Sequence, residues 1–102
     1  MPIMEISIVP LGTKTPSVSK YIVRVLKVLK NEKNIKYQLT AMGTIIEASS
    51  LDKLLRVAKR MHKTVLNGDV NRIVTTIKID DRKDKNLTIE GKLKSVLKIS
   101  DK

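Results

Sequence analysis

The sequence IKYQLTAMGTIIEA, residues 35–48, decides the predicted fold of this chain. Ile35, Tyr37 and Leu39 alternate with polar residues, and this period of two is typical of a half-buried strand. Met42-Gly43 interrupts the alternation, and Gly43 is expected to take the positive φ that a short turn needs. The β-rich run TIIEA follows. The pattern therefore predicts a β-hairpin over residues 35–48 that turns at Met42-Gly43.

The composition fits one domain spanning residues 1–102. Hydrophobic residues make up 41% of the chain, which is enough for one modest core, and Tyr21 and Tyr37 are its only aromatic residues. The core is therefore predicted to be aliphatic. The absence of cysteine excludes disulfides and thiolate metal sites, and no apolar run approaches the ~20 residues of a transmembrane helix. These features predict a cytoplasmic protein with no membrane partner.

The segments around the hairpin alternate between strand and helix patterns. Met4, Ile6 and Ile8 alternate as in a strand, which is predicted to end at Pro10-Leu11-Gly12. Apolar residues spaced three and four apart then predict helices separated by strands. The predicted elements after the first strand are a helix from Thr15-Pro16 to Asn31, the hairpin, a helix from a capping box at Ser49 and Asp52 to Asn67-Gly68, a strand from Arg72 to Asp80, and a helix from Ile89 to Ile99.

This order of elements predicts an α+β fold, the ferredoxin-like βαββαβ sandwich with an extra C-terminal helix. Both long helices are expected to cover one face of a four-stranded antiparallel sheet. The opposite face is expected to carry the polar side chains of the hairpin together with Val9, Met42, Ile45 and Val74. An exposed patch of this kind favours self-association into a homo-oligomer.

Several segments resemble the YkoF-like family of small thiamine-binding proteins. They are PLGT at Pro10–Thr13, SVSKYI at Ser17–Ile22, the pattern from Asp81-Arg82 through Lys92 to Val96 and, above all, YQLTAMGTIIE at Tyr37–Glu47. The resemblance extends over nearly the whole chain. It implies a ferredoxin-like fold and assembly as a homotetramer, a dimer of dimers. It also implies a site for thiamine, or its hydroxymethylpyrimidine portion, near the sheet face and the subunit contacts.

The hairpin and the resemblance together single out six candidate ligand-binding residues. Glu47 is the expected anchor, because a carboxylate can pair with the edge of an aminopyrimidine; a surface ion pair with Lys36 or Lys78 is the alternative. The other candidates are Gln38, Thr40 and Thr44 as polar helpers, Met42 as an apolar wall, and Gly43 as the glycine of the turn. Simple alternation places Thr44 with Ile46 unless the turn reorients it. Threonine is also a good strand former, and Met42 would also suit a subunit interface.

The sequence shows no catalytic or metal-binding constellation. His62 is the single histidine and has no cysteine or clustered acids to complete a metal site, and no serine or aspartate is spaced to suggest a triad. We expect His62 to be structural. The predicted function is therefore binding without catalysis, with no cofactor and with thiamine or a related pyrimidine as the ligand.

The formal net charge of +11 raises a second hypothesis, a basic RNA-binding domain of RRM-like topology. That function needs aromatic side chains on the open sheet face to stack bases. Tyr21 falls on a helix stripe and Tyr37 falls in register with the core, so the residues argue against a nucleic-acid partner. The basic residues then solvate the outer faces of the helices.

Any binding to nucleic acid should be non-specific and should weaken steeply with salt. Lysines and arginines that neutralise phosphates release counterions, so affinity is expected to fall by about 10³–10⁵ between roughly 50 and 200 mM salt for six to ten contacts. Fluorescence anisotropy with two unrelated RNAs over this range measures the effect. Tight, sequence-selective binding at physiological salt would contradict the prediction of a small-molecule ligand.

Overall fold

The computed structural model describes residues 1–12, 19–67 and 70–100 of the chain. Within them the elements follow the predicted order of strands and helices. They are β1 (Ile3–Leu11), α1 (Ser19–Asn31), β2 (Ile35–Leu39), β3 (Thr44–Ala48), α2 (Leu51–Leu66), β4 (Arg72–Asp80) and α3 (Ile89–Ser100).

The strands form one antiparallel sheet in the order β2-β3-β1-β4. This order, with crossovers through α1 and α2 and a further helix α3, confirms the predicted ferredoxin-like α+β fold. The hairpin is confirmed, with β2 and β3 joined by the turn at residues 40–43. The strand Arg72–Asp80 has the predicted bounds.

The core is aliphatic and lies between the sheet and the two long helices. Met4 and Ile6 of β1 and Ile46 of β3 are buried in one cluster with Leu29 of α1 and Leu54 of α2. Both long helices therefore pack on one face of the sheet, as predicted. Burying an aliphatic side chain of this size contributes about 1.5–3 kcal/mol.

One predicted boundary differs from the structure, and another is refined. Ser50, and not Ser49, caps α2, because its Oγ accepts the backbone N–H of Lys53 at 3.1 Å. β1 ends at Leu11, within the predicted stop Pro10-Leu11-Gly12, so that Pro10 itself lies inside the strand. The predicted cap at Thr15-Pro16 and the stop at Gly68 lie outside the described residues.

The backbone of β1 explains why Pro10 fits within a strand. Pro2 O accepts the N–H of Ala48, a residue of β3, at 3.4 Å. Because the hydrogen-bonding side alternates from residue to residue along a strand, the even-numbered residues of β1 direct their backbone groups toward β3. The odd-numbered residues direct theirs toward β4. Pro10 is even-numbered, and its missing N–H would have faced the β3 side. The β3 register ends at Ile6↔Thr44, whereas β4 pairs with β1 as far as Leu11. Residues 7–11 of β1 therefore have an edge that β3 does not cover.

A buried carboxylate ties the connection after α1 to α2. The side chain of Glu32 is only 7% exposed, and its Oε2 accepts a bond from Lys53 Nζ at 3.0 Å. Arg60 donates to Oε1 of the same carboxylate. The bond from Lys53 lowers the pKa of Glu32 most, burial opposes it, and Arg60 lowers the pKa further. The ionised carboxylate therefore fastens the start of the hairpin region to α2.

Replacing Glu32 with Gln should lower the free energy of unfolding at pH 7 by about 1.5–3 kcal/mol, because bonds to a charged group are lost. In the folded protein the pKa of Glu32 lies below its unfolded value of 4.5. The stabilisation by the ionised carboxylate is therefore fully present above pH 4.5 and is lost as the pH falls through the folded-state pKa. Urea unfolding of the wild type and Glu32→Gln at neutral and acid pH measures the difference. A difference that does not depend on pH would contradict the role of the ionised carboxylate.

Candidate ligand-binding site

The structure has a cleft of about 380 Å³ beside the uncovered edge of β1, which we call the turn cleft. Its walls are α1, the edge of β1 and the turn between β2 and β3, and side chains of α2 form its floor. The lining residues include Ile6–Val9 of β1, Leu39–Thr44, Tyr21, Ile22 and Val25 of α1, and Met61 and Val65 of α2. Its volume falls within the range of small-molecule pockets.

Thr40 organises the turn that forms one wall of the turn cleft. Its backbone N–H donates to Gly43 O at 2.8 Å, and its hydroxyl donates to the same oxygen at 2.9 Å. The hydroxyl oxygen also accepts the N–H groups of Met42 and Gly43 at 3.2 and 3.1 Å. Thr40 therefore holds the shape of the wall, and its hydroxyl is already engaged within the turn.

Gly43 is needed for a close approach between two backbone segments. The expectation of a positive φ is wrong, because among the described glycines only Gly12 has one. A Cβ at position 43 would instead lie 2.9 Å from the carbonyl oxygen of Ile6, where no side chain fits without a backbone shift. Glycine thus lets the hairpin rest directly against β1.

The two remaining candidates at the turn cleft differ in exposure. Thr44 lies on the helix-covered face with Ile46, as simple alternation indicated, and is only 7% exposed. Met42 is 83% exposed at the tip of the turn. Met42 therefore lies at the mouth of the turn cleft, and Thr44 lies inside it.

A second cleft, of about 510 Å³, lies between α3 and the sheet face that α1 and α2 leave uncovered; we call it the α3 cleft. Ile3, Ile45 and Leu93 supply apolar walls, and Gln38 is among its polar residues. Two ion pairs cross its rim, Glu5 with Lys78 at 3.5 Å and Asp80 with Lys92. The charged groups of this cleft are therefore already paired with one another.

Glu47 lies on the same sheet face, where it anchors α3. Its side chain is 2% exposed, and Oε1 accepts the N–H of Ile89, the first residue of α3, at 2.8 Å. Thr88 Oγ1 accepts the N–H of Gly91 at 2.9 Å and so caps the same helix. A carboxylate at a helix N-terminus satisfies a free donor and is favoured by the helix dipole. The structure thus gives Glu47 a partner other than Lys36 or Lys78.

The six predicted residues therefore do not surround one cavity. Four of them line the turn cleft: Thr40, Met42, Gly43 and Thr44. Gln38 lines the α3 cleft on the opposite sheet face, and Glu47 lies beneath the start of α3. Their contact with a ligand stays a prediction.

The sequence did not reveal a further polar group in the turn cleft, the backbone of Ile8. Ile8 is even-numbered, so its N–H and C=O point to the β3 side, beyond the last β1–β3 pair. No residue in the described part of the chain pairs with it there. Ile8 also lines the cleft. A donor and an acceptor therefore lie side by side in an otherwise largely apolar wall.

The residues considered for nucleic-acid or metal binding have structural partners. Tyr21 is buried, with Lys20 Nζ and Arg24 Cζ 5.1 and 5.5 Å from its ring centre, and Tyr37 packs against the core. Neither tyrosine faces the uncovered side of the sheet. His62 Nδ1 lies 2.8 Å from Thr75 Oγ1.

In the described ranges, no helix is long and apolar enough to cross a membrane.

Comparison with known proteins places these features in a family. Residues 4–97 match the family model described as thiamine-binding protein. The chain is 45% identical over 101 residues to the UPF0045 protein YqgV of Bacillus subtilis, with 96% of each chain covered. It is 49% identical over 94 residues to the UPF0045 protein MJ1052 of Methanocaldococcus jannaschii, covering 92% of this chain and 90% of that protein.

The fold of a relative agrees with this match. The crystal structure of MJ1052 is 48% identical in sequence and gives a TM-score of 0.83 over 93% of this chain and 94% of that chain. The chain therefore belongs to the thiamine-binding protein family, which confirms the resemblance seen in the sequence.

Replacing Glu47 with Ala should detach the start of α3. Losing a hydrogen bond to a charged group costs about 1.5–3 kcal/mol, and the amide of Ile89 would lose its acceptor. Hydrogen exchange at residues 89–93 should therefore become faster. Glu47→Gln keeps an acceptor oxygen and should change exchange less. Unaltered exchange in Glu47→Ala would show that the carboxylate does not hold the helix.

Proposed function

We propose that this protein binds thiamine without catalysis, and that it recognises the aminopyrimidine ring in the turn cleft. Membership of the thiamine-binding protein family supports the ligand. The observation that carries the choice of site is the uncovered backbone of Ile8, which offers a matched donor and acceptor in that cleft.

The pairing follows from the chemistry of the two edges. A 4-aminopyrimidine presents a ring nitrogen that accepts and an adjacent amino group that donates. A β-strand residue with both backbone groups on one side presents an N–H that donates and a C=O that accepts. Ile8 N–H would therefore meet the ring nitrogen, and Ile8 C=O would meet the amino group. A heterocycle bound in this way extends the sheet where β3 ends.

The side chains of the turn cleft suit a flat ring. Ile22 and Leu39 give apolar walls and Met61 an apolar floor, and Met42 at the mouth can contact a ring through its polarizable sulfur. Thr40 and Gly43 act indirectly, because they set the position of the turn against β1. Thr44, which lines the turn cleft, would serve as a polar helper.

The pyrimidine portion is expected to carry most of the affinity. Among the described lining residues of the turn cleft there is no carboxylate to pair with the thiazolium cation. Thiamine and free hydroxymethylpyrimidine should therefore bind with similar affinity. The same residues offer no carboxylate or imidazole to act as a general base, which favours binding over catalysis.

The Ile8 pairing predicts strong discrimination against a ligand with the opposite hydrogen-bond pattern. Oxythiamine carries a carbonyl oxygen and a ring N–H where thiamine carries the amino group and the ring nitrogen. Both bonds to Ile8 would become repulsive, so affinity should fall by at least about a hundredfold. Titration calorimetry with thiamine, hydroxymethylpyrimidine and oxythiamine measures this. Equal affinities for thiamine and oxythiamine would remove the Ile8 edge from the site, and no binding of thiamine would remove thiamine from the hypothesis.

Variants at Ile8 and Glu47 distinguish thiamine binding in the turn cleft from binding near α3. Ile8→Pro removes the backbone N–H of residue 8 and should weaken thiamine binding at least about tenfold. The strand should tolerate this proline, because no described strand uses that N–H, and Pro10 already occupies an equivalent position two residues later. Ile8→Val keeps the donor and is the matched control. Glu47→Gln should leave affinity nearly unchanged; a ten- to hundredfold loss there would return the anchor to Glu47, as first predicted from the sequence.

We further propose that the protein self-associates. Val9 and Val74 are about half exposed on the sheet face that the long helices leave uncovered, and Leu93 and Val96 of α3 are exposed beside it. Patches of this kind on soluble domains mark interaction surfaces. A homotetramer formed as a dimer of dimers would use this face together with a second contact. Sedimentation at micromolar concentration that shows only monomer would contradict it.

A further inference from the structure

Tyr21 of α1 carries a hydroxyl that has no hydrogen-bond partner among the described residues. The residue is only 3% exposed, and it lines the turn cleft. In the described part of the chain, every side-chain nitrogen or oxygen that is sealed from solvent has a partner. Because the Tyr21 hydroxyl has none there, it is not sealed within the core. The hydroxyl therefore opens into the turn cleft, the cavity that its side chain lines.

The surroundings of Tyr21 hold its ring in place. The ring belongs to the buried core cluster, and Lys20 Nζ and Arg24 Cζ lie 5.1 and 5.5 Å from its centre. At such distances a cation is attracted to the face of an aromatic ring. A buried tyrosine usually finds a partner for its hydroxyl. A fixed hydroxyl without one is preorganised for a ligand, because little side-chain entropy is lost on binding.

The pairing proposed for Ile8 reads only one edge of a bound ring. The cytosine base of a nucleoside presents the same edge, a ring nitrogen that accepts beside an amino group that donates. The two pyrimidines differ on the opposite edge. The aminopyrimidine of thiamine has a second ring nitrogen there with a free lone pair, whereas a nucleoside carries its sugar on the corresponding nitrogen. A residue that contacts this second nitrogen would decide which pyrimidine is accepted.

We propose that the Tyr21 hydroxyl donates to this second ring nitrogen and so selects a free aminopyrimidine over a pyrimidine nucleoside. The inference rests on the proposed function, because it concerns the ligand and the cleft proposed there. The ring would lie between the edge of β1 and α1, two walls of the turn cleft. Its amino edge would meet Ile8, and its second nitrogen would face Tyr21. A sugar on that nitrogen would clash with the hydroxyl.

The charges around the turn cleft favour a neutral donor at this position. Its described lining residues include no carboxylate, and Lys20 and Arg24 lie close to Tyr21. Nearby cations disfavour a protonated, positively charged ring. The pyrimidine would therefore bind as the neutral ring, whose nitrogen accepts a hydrogen bond from the O–H of tyrosine.

Tyr21→Phe removes the hydroxyl and keeps the ring. Thiamine affinity, measured by titration calorimetry, should fall by about five- to tenfold, as expected for one neutral hydrogen bond. The urea midpoint of unfolding should not change, because the hydroxyl has no partner among the described residues. Unchanged thiamine affinity, or a clearly lower urea midpoint, would overturn the role of Tyr21.

Tyr37→Phe is the matched control. It makes the same chemical change at the other tyrosine of the chain, which is not among the residues that line the turn cleft. Thiamine affinity should be the same in Tyr37→Phe and in the wild type. Equal losses of affinity in the two variants would overturn the specific role of Tyr21.

A ligand analogue identifies the atom that the hydroxyl contacts. In this analogue of thiamine, CH replaces the second ring nitrogen and the edge that faces Ile8 is unchanged. The wild type should bind the analogue about as weakly as Tyr21→Phe binds thiamine, and Tyr21→Phe should bind the analogue no more weakly than the wild type does. A structural role of the hydroxyl would weaken both ligands equally, and that result would overturn the proposed contact.

Cytidine tests the proposed selectivity. The wild type should bind cytidine at least about a hundredfold more weakly than thiamine, because the sugar would clash with Tyr21. Comparable affinities for cytidine and thiamine would overturn the inference. Thiamine binding that depends on Ile8 but not on Tyr21 would overturn this inference alone, whereas a wild type that does not bind thiamine would overturn the proposed function as well.

Discussion

Along β1, successive residues direct their backbone N–H and C=O groups to opposite sides of the strand. The neighbouring strands β3 and β4 pair with these groups over different lengths of β1. β4 pairs with β1 as far as Leu11, whereas β3 stops at Ile6. The difference leaves the donor and acceptor of Ile8 directed into the turn cleft, on the side where β3 is missing. In the proposed binding mode, a planar ligand with the complementary edge would form two hydrogen bonds there.

The turn cleft is separate from the surface proposed for self-association. The cleft lies on the β3 side of β1, against side chains of α1 and α2. The α3 cleft and the exposed residues of α3 lie on the face left uncovered by the long helices, where the proposed contact between copies would form.

Local sequence patterns predicted the elements and their order well. Alternation fixed the bounds of β4 and the side on which Thr44 lies, because strand periodicity depends only on near neighbours. The cap of α2 was placed one residue too early, since Ser49 and Ser50 are equally suitable by type. The inclusion of Pro10 in β1 could not be predicted locally, because a proline is tolerated there only where β3 no longer pairs with β1.

The candidate site was harder to predict because its determinants lie far apart in the chain. Glu47 bonds the backbone of Ile89, and no pattern near either residue signals that contact. Gly43 appeared to be a turn glycine, but the constraint on it comes from Ile6. The donor and acceptor of Ile8 are backbone groups that every residue type except proline carries, so side-chain chemistry could not indicate them.

In the proposed function, the backbone of Ile8 is the group that recognises the ligand. A ¹⁵N-resolved NMR titration with hydroxymethylpyrimidine follows this amide directly. The Ile8 amide resonance should shift strongly downfield and become protected from exchange, while the amides of Ser7 and Val9, which face β4, should move much less. An unchanged Ile8 amide, with the largest shifts at Ile45 and Ile89, would show that the ligand binds in the α3 cleft instead.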